Sequence, residues 1–181
     1  MMKQFWIFGY GSLMWRPGIA YLRRELALIR GYHRSLCVYS HVHRGTPERP
    51  GLVLGLDRGG SCQGVAFAIA AEAWDETLEY LRGREQVTMV YVEKNTTIKL
   101  QSTGESVDAV TYVTDRKHRQ YAGVLPTETL LAYVLQGQGV SGHCADYVFN
   151  TVNHLREMNI HDAALETLAA RLQDQAITST A

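Results

Sequence analysis

The chain is poor in the features that would assign it quickly. No apolar run approaches the roughly 20 residues needed to span a bilayer, so no membrane association is expected. Its three cysteines, Cys37, Cys62 and Cys144, stand far apart with no CxxC or zinc-type spacing. That argues against a disulfide framework and for reduced, structural thiols. Charge of one sign is not in excess: 18 Lys and Arg balance 18 Asp and Glu. No global field therefore draws the protein to nucleic acid or anionic lipid, and a ligand must be recognised locally. The N-terminus carries Lys3 and a short, glycine-interrupted apolar stretch; this is neither a secretory nor a transit segment, and a cytoplasmic setting is expected. The G-x-S-x-G elbow of serine hydrolases and the Gly-Lys-Ser/Thr of a P-loop are also missing, so Ser12 is a hydrogen-bonding residue before it is a nucleophile.

What is present is an ordinary globular mixture over 181 residues, 46% apolar and 20% charged, enough for one self-sufficient domain over residues 1–181. Short β-type segments fill the first two thirds, at Gln4–Phe8, Glu25–Gly31, Arg34–Ser40, Leu52–Leu56 and Gln63–Ala70, separated by Gly and Pro clusters. The period then changes: Trp74, Leu78 and Leu81 recur at helical spacing between Ala71 and Arg84. Strands near Thr88–Leu100 and Val107–Thr114 follow, then helices over Thr127–Leu135, Cys144–Met158 and Asp162–Gln173, with a frayed tail from Thr178. Strands followed by helices predict an α+β fold whose small sheet is closed or strongly curved into a barrel flanked by helices.

Candidate chemistry concentrates at one bend. Phe5-Trp6-Ile7-Phe8 runs into Gly9-Tyr10-Gly11-Ser12-Leu13-Met14, closed by Trp15-Arg16-Pro17-Gly18. Glycines on both sides of Tyr10 are expected to take positive φ, and free N–H groups in such a turn make a carboxylate cradle. Taken alone, the same glycines also suit a simple tight connection. Glu85 ends the amphipathic helix beside Arg84. It reads first as a solvated helix end with a local ion pair, and second as a partly buried carboxylate whose raised pKa suits a general base. His41 and His43 lack a third ligand and are expected to be a surface pair, so no metal site is assigned. Arg44 to Gly51 is a turn-rich loop whose arginines suit either a carboxylate clamp or a plain loop. Tyr121 and Tyr147 read as core, rim or pocket residues.

Taken together, Trp6 to Trp15, His43-Arg44-Gly45-Thr46-Pro47-Glu48 with Pro50-Gly51-Leu52-Val53-Leu54-Gly55-Leu56, Tyr80-Leu81-Arg82-Gly83-Arg84-Glu85, Tyr121-Ala122-Gly123, and Gly142 to Tyr147 leading into Asn150 to Leu155 resemble the ChaC family. The similarity spans nearly the whole chain. The resemblance implies a γ-glutamylcyclotransferase acting on glutathione, a cofactor-independent enzyme that closes the γ-glutamyl group to 5-oxoproline and releases Cys-Gly. It implies Glu85 as the catalytic acid, Gly9, Tyr10, Gly11, Ser12, Leu13 and Met14 as the segment gripping the γ-glutamyl group, and Tyr147 as a substrate contact. It also implies a substrate cavity at the barrel mouth. One departure stands out: many members carry a glycine-bearing loop after the acid, where this chain runs through Gln86-Val87-Thr88-Met89. The alternatives are a cyclotransferase for other γ-glutamyl amines or amino acids, and a non-catalytic γ-glutamyl-binding regulator.

Overall fold

The computed structural model describes residues 4–178; Lys3 and positions 179–181 of the expected tail lie outside the described residues. Five strands, β1 (Gln4–Gly9), β2 (Arg23–Ser40), β3 (Gly51–Ala70), β4 (Tyr91–Leu100) and β5 (Ser106–Thr114), form a closed barrel in the order β1-β3-β2-β4-β5. With four α-helices this is the expected α+β barrel fold. Contacts group the chain into two compact units. The first comprises Met1–Ser35 and Gly55–Arg119, the second Leu36–Leu54 and Gln120–Ala181.

In the first unit, β1 pairs antiparallel with β3 over its whole length, Gln4 facing Ala70 and Gly9 facing Val65. On its other side it runs parallel to β5, with Trp6 and Ile7 opposite Ala109 and Val110. Successive side chains of the strand point to opposite faces, and Trp6, Ile7 and Phe8 are all buried. Trp6 and Phe8 enter one core with Ala27, Ile29, Leu56, Ala66, Ala68, Ile98 and Leu100. The small alanines among these leave room for the two aromatic rings inside a narrow barrel. On the opposite parity, Phe5 stacks on Trp74 at 4.7 Å. Trp74 opens helix α1 (Trp74–Glu85), and Leu81 of that helix is fully buried.

Two pairs of segments expected as separate strands are continuous. Residues 25–31 and 34–40 merge in β2, and 52–56 and 63–70 merge in β3. The glycines that signalled breaks are bends within the strands, with φ of +81° at Gly31 and +102° at Gly59. A left-handed glycine lets a long strand coil around a small barrel without ending its ladder. The helix expected from Ala71 begins with a 3-10 turn at Ala71–Ala73, and the strand expected from Thr88 starts at Tyr91.

The second unit contains helices α2 (Thr127–Gln136), α3 (Cys144–Glu157) and α4 (Ala163–Thr178), and a two-stranded ribbon of β6 (Gln138–Gly139) and β7 (Gly142–His143) that the sequence did not suggest. All three cysteines are buried. Cys144 donates to the Leu52 carbonyl at 3.1 Å, and burial pushes its thiol pKa up, away from the reactive thiolate. No described helix is long and apolar enough to cross a membrane.

Gly64 on β3 is where the barrel fits most closely around the bend. A Cβ there would overlap the Gly9 carbonyl oxygen and approach the Phe8 ring to 2.7 Å. Gly64→Ala should therefore lower stability by about 1–3 kcal/mol, the usual range for overpacking, read as a fall in Tm; an unchanged Tm would show that the bend can shift freely.

Candidate active site

The bend after β1 is held by its carbonyls. Thr111 of β5 donates its hydroxyl to the Phe8 carbonyl at 2.9 Å. Arg34 of β2, 8% exposed, donates Nε to the Tyr10 carbonyl at 2.6 Å and Nη2 to that of Gln63 at 2.7 Å. Both are short contacts of the kind a charged donor makes. With these oxygens anchored, the chain turns into a 3-10 turn at Ser12–Met14, closed by the Met14 amide on the Gly11 carbonyl at 2.9 Å. Leu13 and Met14 are buried and Ser12 faces solvent. The first amides of such a turn have no acceptor within it.

One expectation about this bend is corrected. The glycines at 9 and 11 do not use positive φ: Gly11 lies at −129°, and Gly9 is not among the glycines of positive φ. At Gly9 the requirement is space, since a Cβ would stand 3.3 Å from that of Leu13.

Glu85 is the last residue of α1, and its side chain is only 21% exposed. Burial pushes its carboxyl pKa above the ordinary glutamate range, with the Arg84 guanidinium pulling the other way. Desolvation of a carboxylate outweighs one neighbouring cation here, which brings the group toward the range of a general base. Arg84 Nε lies 3.2 Å from Glu85 Oε1. The same guanidinium donates through Nη2 to Ser12 Oγ at 3.0 Å, and through Nη1 to the carbonyls of Arg16 at 2.5 Å and Pro17 at 3.2 Å. One side chain thus touches both the acid and the bend. The exposed helix end of the simplest sequence reading gives way to a half-sequestered one.

A further tyrosine belongs to this neighbourhood. Tyr112 of β5, 2% exposed, donates to Glu93 Oε2 at 3.1 Å, and Glu93 is held by both prongs of Arg82 at 2.7 and 2.8 Å. Its pKa is pushed well up, by burial first, then by Glu93, with a smaller contribution from the charge of Glu85.

Tyr147 belongs to the second unit. Its hydroxyl accepts the Leu54 amide at 3.0 Å, and the Arg44 guanidinium lies 5.5 Å over its ring. Arg44 also donates to the His143 carbonyl at 3.0 Å, so this arginine secures its own loop. His43 meets the Ser141 hydroxyl at 2.9 Å, and among the described residues no group of three or more His, Cys, Asp and Glu side chains is arranged to hold a metal.

Sequence reasoning missed Arg34, Thr111, Tyr112 and the reach of Arg84. Arg34 did leave a signal: it occupies the apolar-facing parity of β2 with Leu36 and Val38, where a charge signals a fixed partner. Arg84 left none, because its acceptors lie 67 to 72 residues upstream.

The fold is that of a solved yeast structure, a γ-glutamyl cyclotransferase specific to glutathione. The two superpose with a TM-score of 0.83 at 22% identity, over 94% of this chain and 96% of the other. The chain belongs to the ChaC-like protein family, whose pattern matches residues 5–175. Relatives include glutathione-specific γ-glutamylcyclotransferase 1 of Mus musculus, 36% identical over 83% of this chain and 69% of that protein. The glutathione-specific γ-glutamylcyclotransferase of Escherichia coli K12 is 31% identical over 90% of this chain and 70% of its own length.

The raised pKa of Glu85 has a stability consequence with a definite sign. A folded state that binds this proton more tightly than the unfolded chain loses stability as pH rises from the ordinary glutamate range through the raised value. Glu85→Gln removes the titration. The variant should melt above wild type at pH 8, with the difference shrinking toward pH 4; a lower Tm for the variant at pH 8 would show that the charged carboxylate is stabilised in the fold.

Proposed function

We propose that this protein is a glutathione-specific γ-glutamylcyclotransferase, with Glu85 as its catalytic residue and the Gly9–Met14 bend as the cradle of the γ-glutamyl group. Support comes from family membership, from the names of the relatives, and above all from one geometric fact: a part-buried carboxyl group shares a guanidinium with the bend.

The chemistry requires little. The α-amine of the γ-glutamyl group is the nucleophile and the γ-carbonyl carbon the electrophile, so both reacting atoms belong to one substrate. Glu85 takes a proton from the ammonium, and the freed nitrogen adds to the carbonyl to form a C–N bond and a five-membered ring. The tetrahedral adduct then expels the cysteinyl nitrogen, which receives the proton from Glu85, and the ring nitrogen gives up its second proton to the released amine, leaving 5-oxoproline and Cys-Gly in its ammonium form. One carboxyl serves as base and then as acid, which its raised pKa suits. Holding the chain in its cyclising conformation can supply up to about 7–11 kcal/mol for a well-oriented intramolecular reaction. Donors of the bend aimed at the developing oxyanion contribute about 3 kcal/mol. The product assignment and the roles of Tyr10, Leu13, Met14 and Tyr147 belong to this same reading, as does a cytoplasmic setting, where glutathione is abundant and thiols such as the buried Cys144 stay reduced.

Incubation with glutathione should yield equimolar 5-oxoproline and Cys-Gly. Glu85→Gln keeps shape without basicity and should lower kcat by about 10²–10⁴-fold, the usual contribution of a general base, with KM within a few-fold of wild type. Wild-type turnover in that variant would remove Glu85 from the mechanism. Equal kcat/KM on γ-glutamyl-alanine would show recognition of the γ-glutamyl half alone.

A further inference from the structure

Arg84 is attached to more than its position requires. A basic residue in the last turn of a helix ordinarily answers the helix dipole or a sequence neighbour. Arg84 does meet its neighbour Glu85, but three of its contacts go to the segment leaving the bend: Ser12 Oγ, the Arg16 carbonyl and the Pro17 carbonyl. The side chain is 22% exposed, and these are charge-assisted bonds. A second attachment lies beside it. Gly18, at φ +64°, sits so close to the Tyr80 hydroxyl of α1 that a Cβ would overlap it. The loop from Ser12 to Gly18 is thereby closed onto α1 at two places one helical turn apart.

The contact with Ser12 has a directional consequence. A guanidinium only donates, so Ser12 Oγ must accept. Its own proton then points away from Arg84, from an exposed side chain. An unconstrained serine hydroxyl presents a donor or an acceptor as the ligand demands, whereas this one has its acceptor side occupied by a cation and is presented as a polarised donor. A carboxylate has only acceptors. Of the two charged groups on the α-carbon of a γ-glutamyl substrate, Ser12 is therefore matched to the carboxylate and mismatched to the ammonium. The ammonium is left to the basic Glu85 on the other side of the same guanidinium.

We infer that Arg84 is a positioning residue of this site: it sets Ser12 as a hydrogen-bond donor to the substrate's α-carboxylate and holds the Ser12–Gly18 loop against α1 beside Glu85. The inference rests on the γ-glutamyl reading above and adds to it a residue that does not itself touch the substrate. A local helix-end ion pair would act on the acid alone. This arrangement acts through Ser12, and the effects of the two residues must therefore be coupled.

The test is a double-mutant cycle on glutathione, with 5-oxoproline measured for wild type, Ser12→Ala, Arg84→Gln and the double variant, alongside Arg84→Lys and a melting curve for each. Arg84→Gln should raise KM about tenfold or more, the cost of losing bonds to a charged donor. Ser12→Ala should raise it several-fold, and adding it to Arg84→Gln should cost less than twofold further. Arg84→Lys should recover part of the loss, since an ammonium reaches one or two of these acceptors without the planar fork. If Arg84→Gln does not fold at the assay temperature, Arg84→Lys takes its place in the cycle with the same expected non-additivity. Effects that simply multiply, or a KM for the Arg84 variants within twofold of wild type, would overturn the inference while leaving the cyclotransferase reading intact. Absence of 5-oxoproline from the wild type would overturn both.

Discussion

The parallel pairing of Trp6 and Ile7 with Ala109 and Val110 closes the barrel, and the site depends on that closure. It leaves β1 without a free edge and brings Thr111 of β5 to the carbonyl of Phe8. Arg34 reaches the next free carbonyl but one, that of Tyr10. A bend with its oxygens held in this way has few conformations left. Order of this kind is established in folding rather than on binding, and so lowers the entropic cost of gripping a flexible substrate.

Glu85 approaches the same place from a different direction, at the end of a helix rather than a strand. Two opposed effects set its acidity. Burial disfavours the carboxylate, the Arg84 cation favours it, and burial prevails. For the proposed role as base and then acid, that balance is better suited than either extreme. A carboxyl fully neutralised by its partner would be too weak a base, and one without a nearby cation would be harder to ionise inside the fold. The cation also holds the neighbouring loop, so the group that tempers the acid helps to hold the bend. The same desolvation that makes the acid useful detracts from stability at neutral pH, a common exchange at active sites.

The second unit shows how a motif can signal a family without itself holding reacting groups. His43 to Gly51 is among the most distinctive stretches of the chain. In the structure Arg44 binds the His143 carbonyl and covers the Tyr147 ring, while Tyr147 takes the Leu54 amide. These contacts hold the second unit together.

Sequence alone was sufficient for what depends on near neighbours. β-type segments bounded by turn residues revealed β1, β4 and β5, the spacing of Trp74, Leu78 and Leu81 revealed α1, and the ordered blocks revealed the family. These signals arise within a few residues, where chain geometry itself sets the period. The merging of four expected strand segments into β2 and β3 was illegible, because a glycine marks a turn and a left-handed bend within a strand in the same way. Glu85 could be named from its motif, but its burial could not. Only the tertiary structure decided that its carboxyl is desolvated, that Arg84 reaches back 72 residues to Ser12, and that Arg34 holds a carbonyl 24 residues away. Those facts depend on which distant groups the closed barrel brings within hydrogen-bonding distance, and no local period of the chain records them.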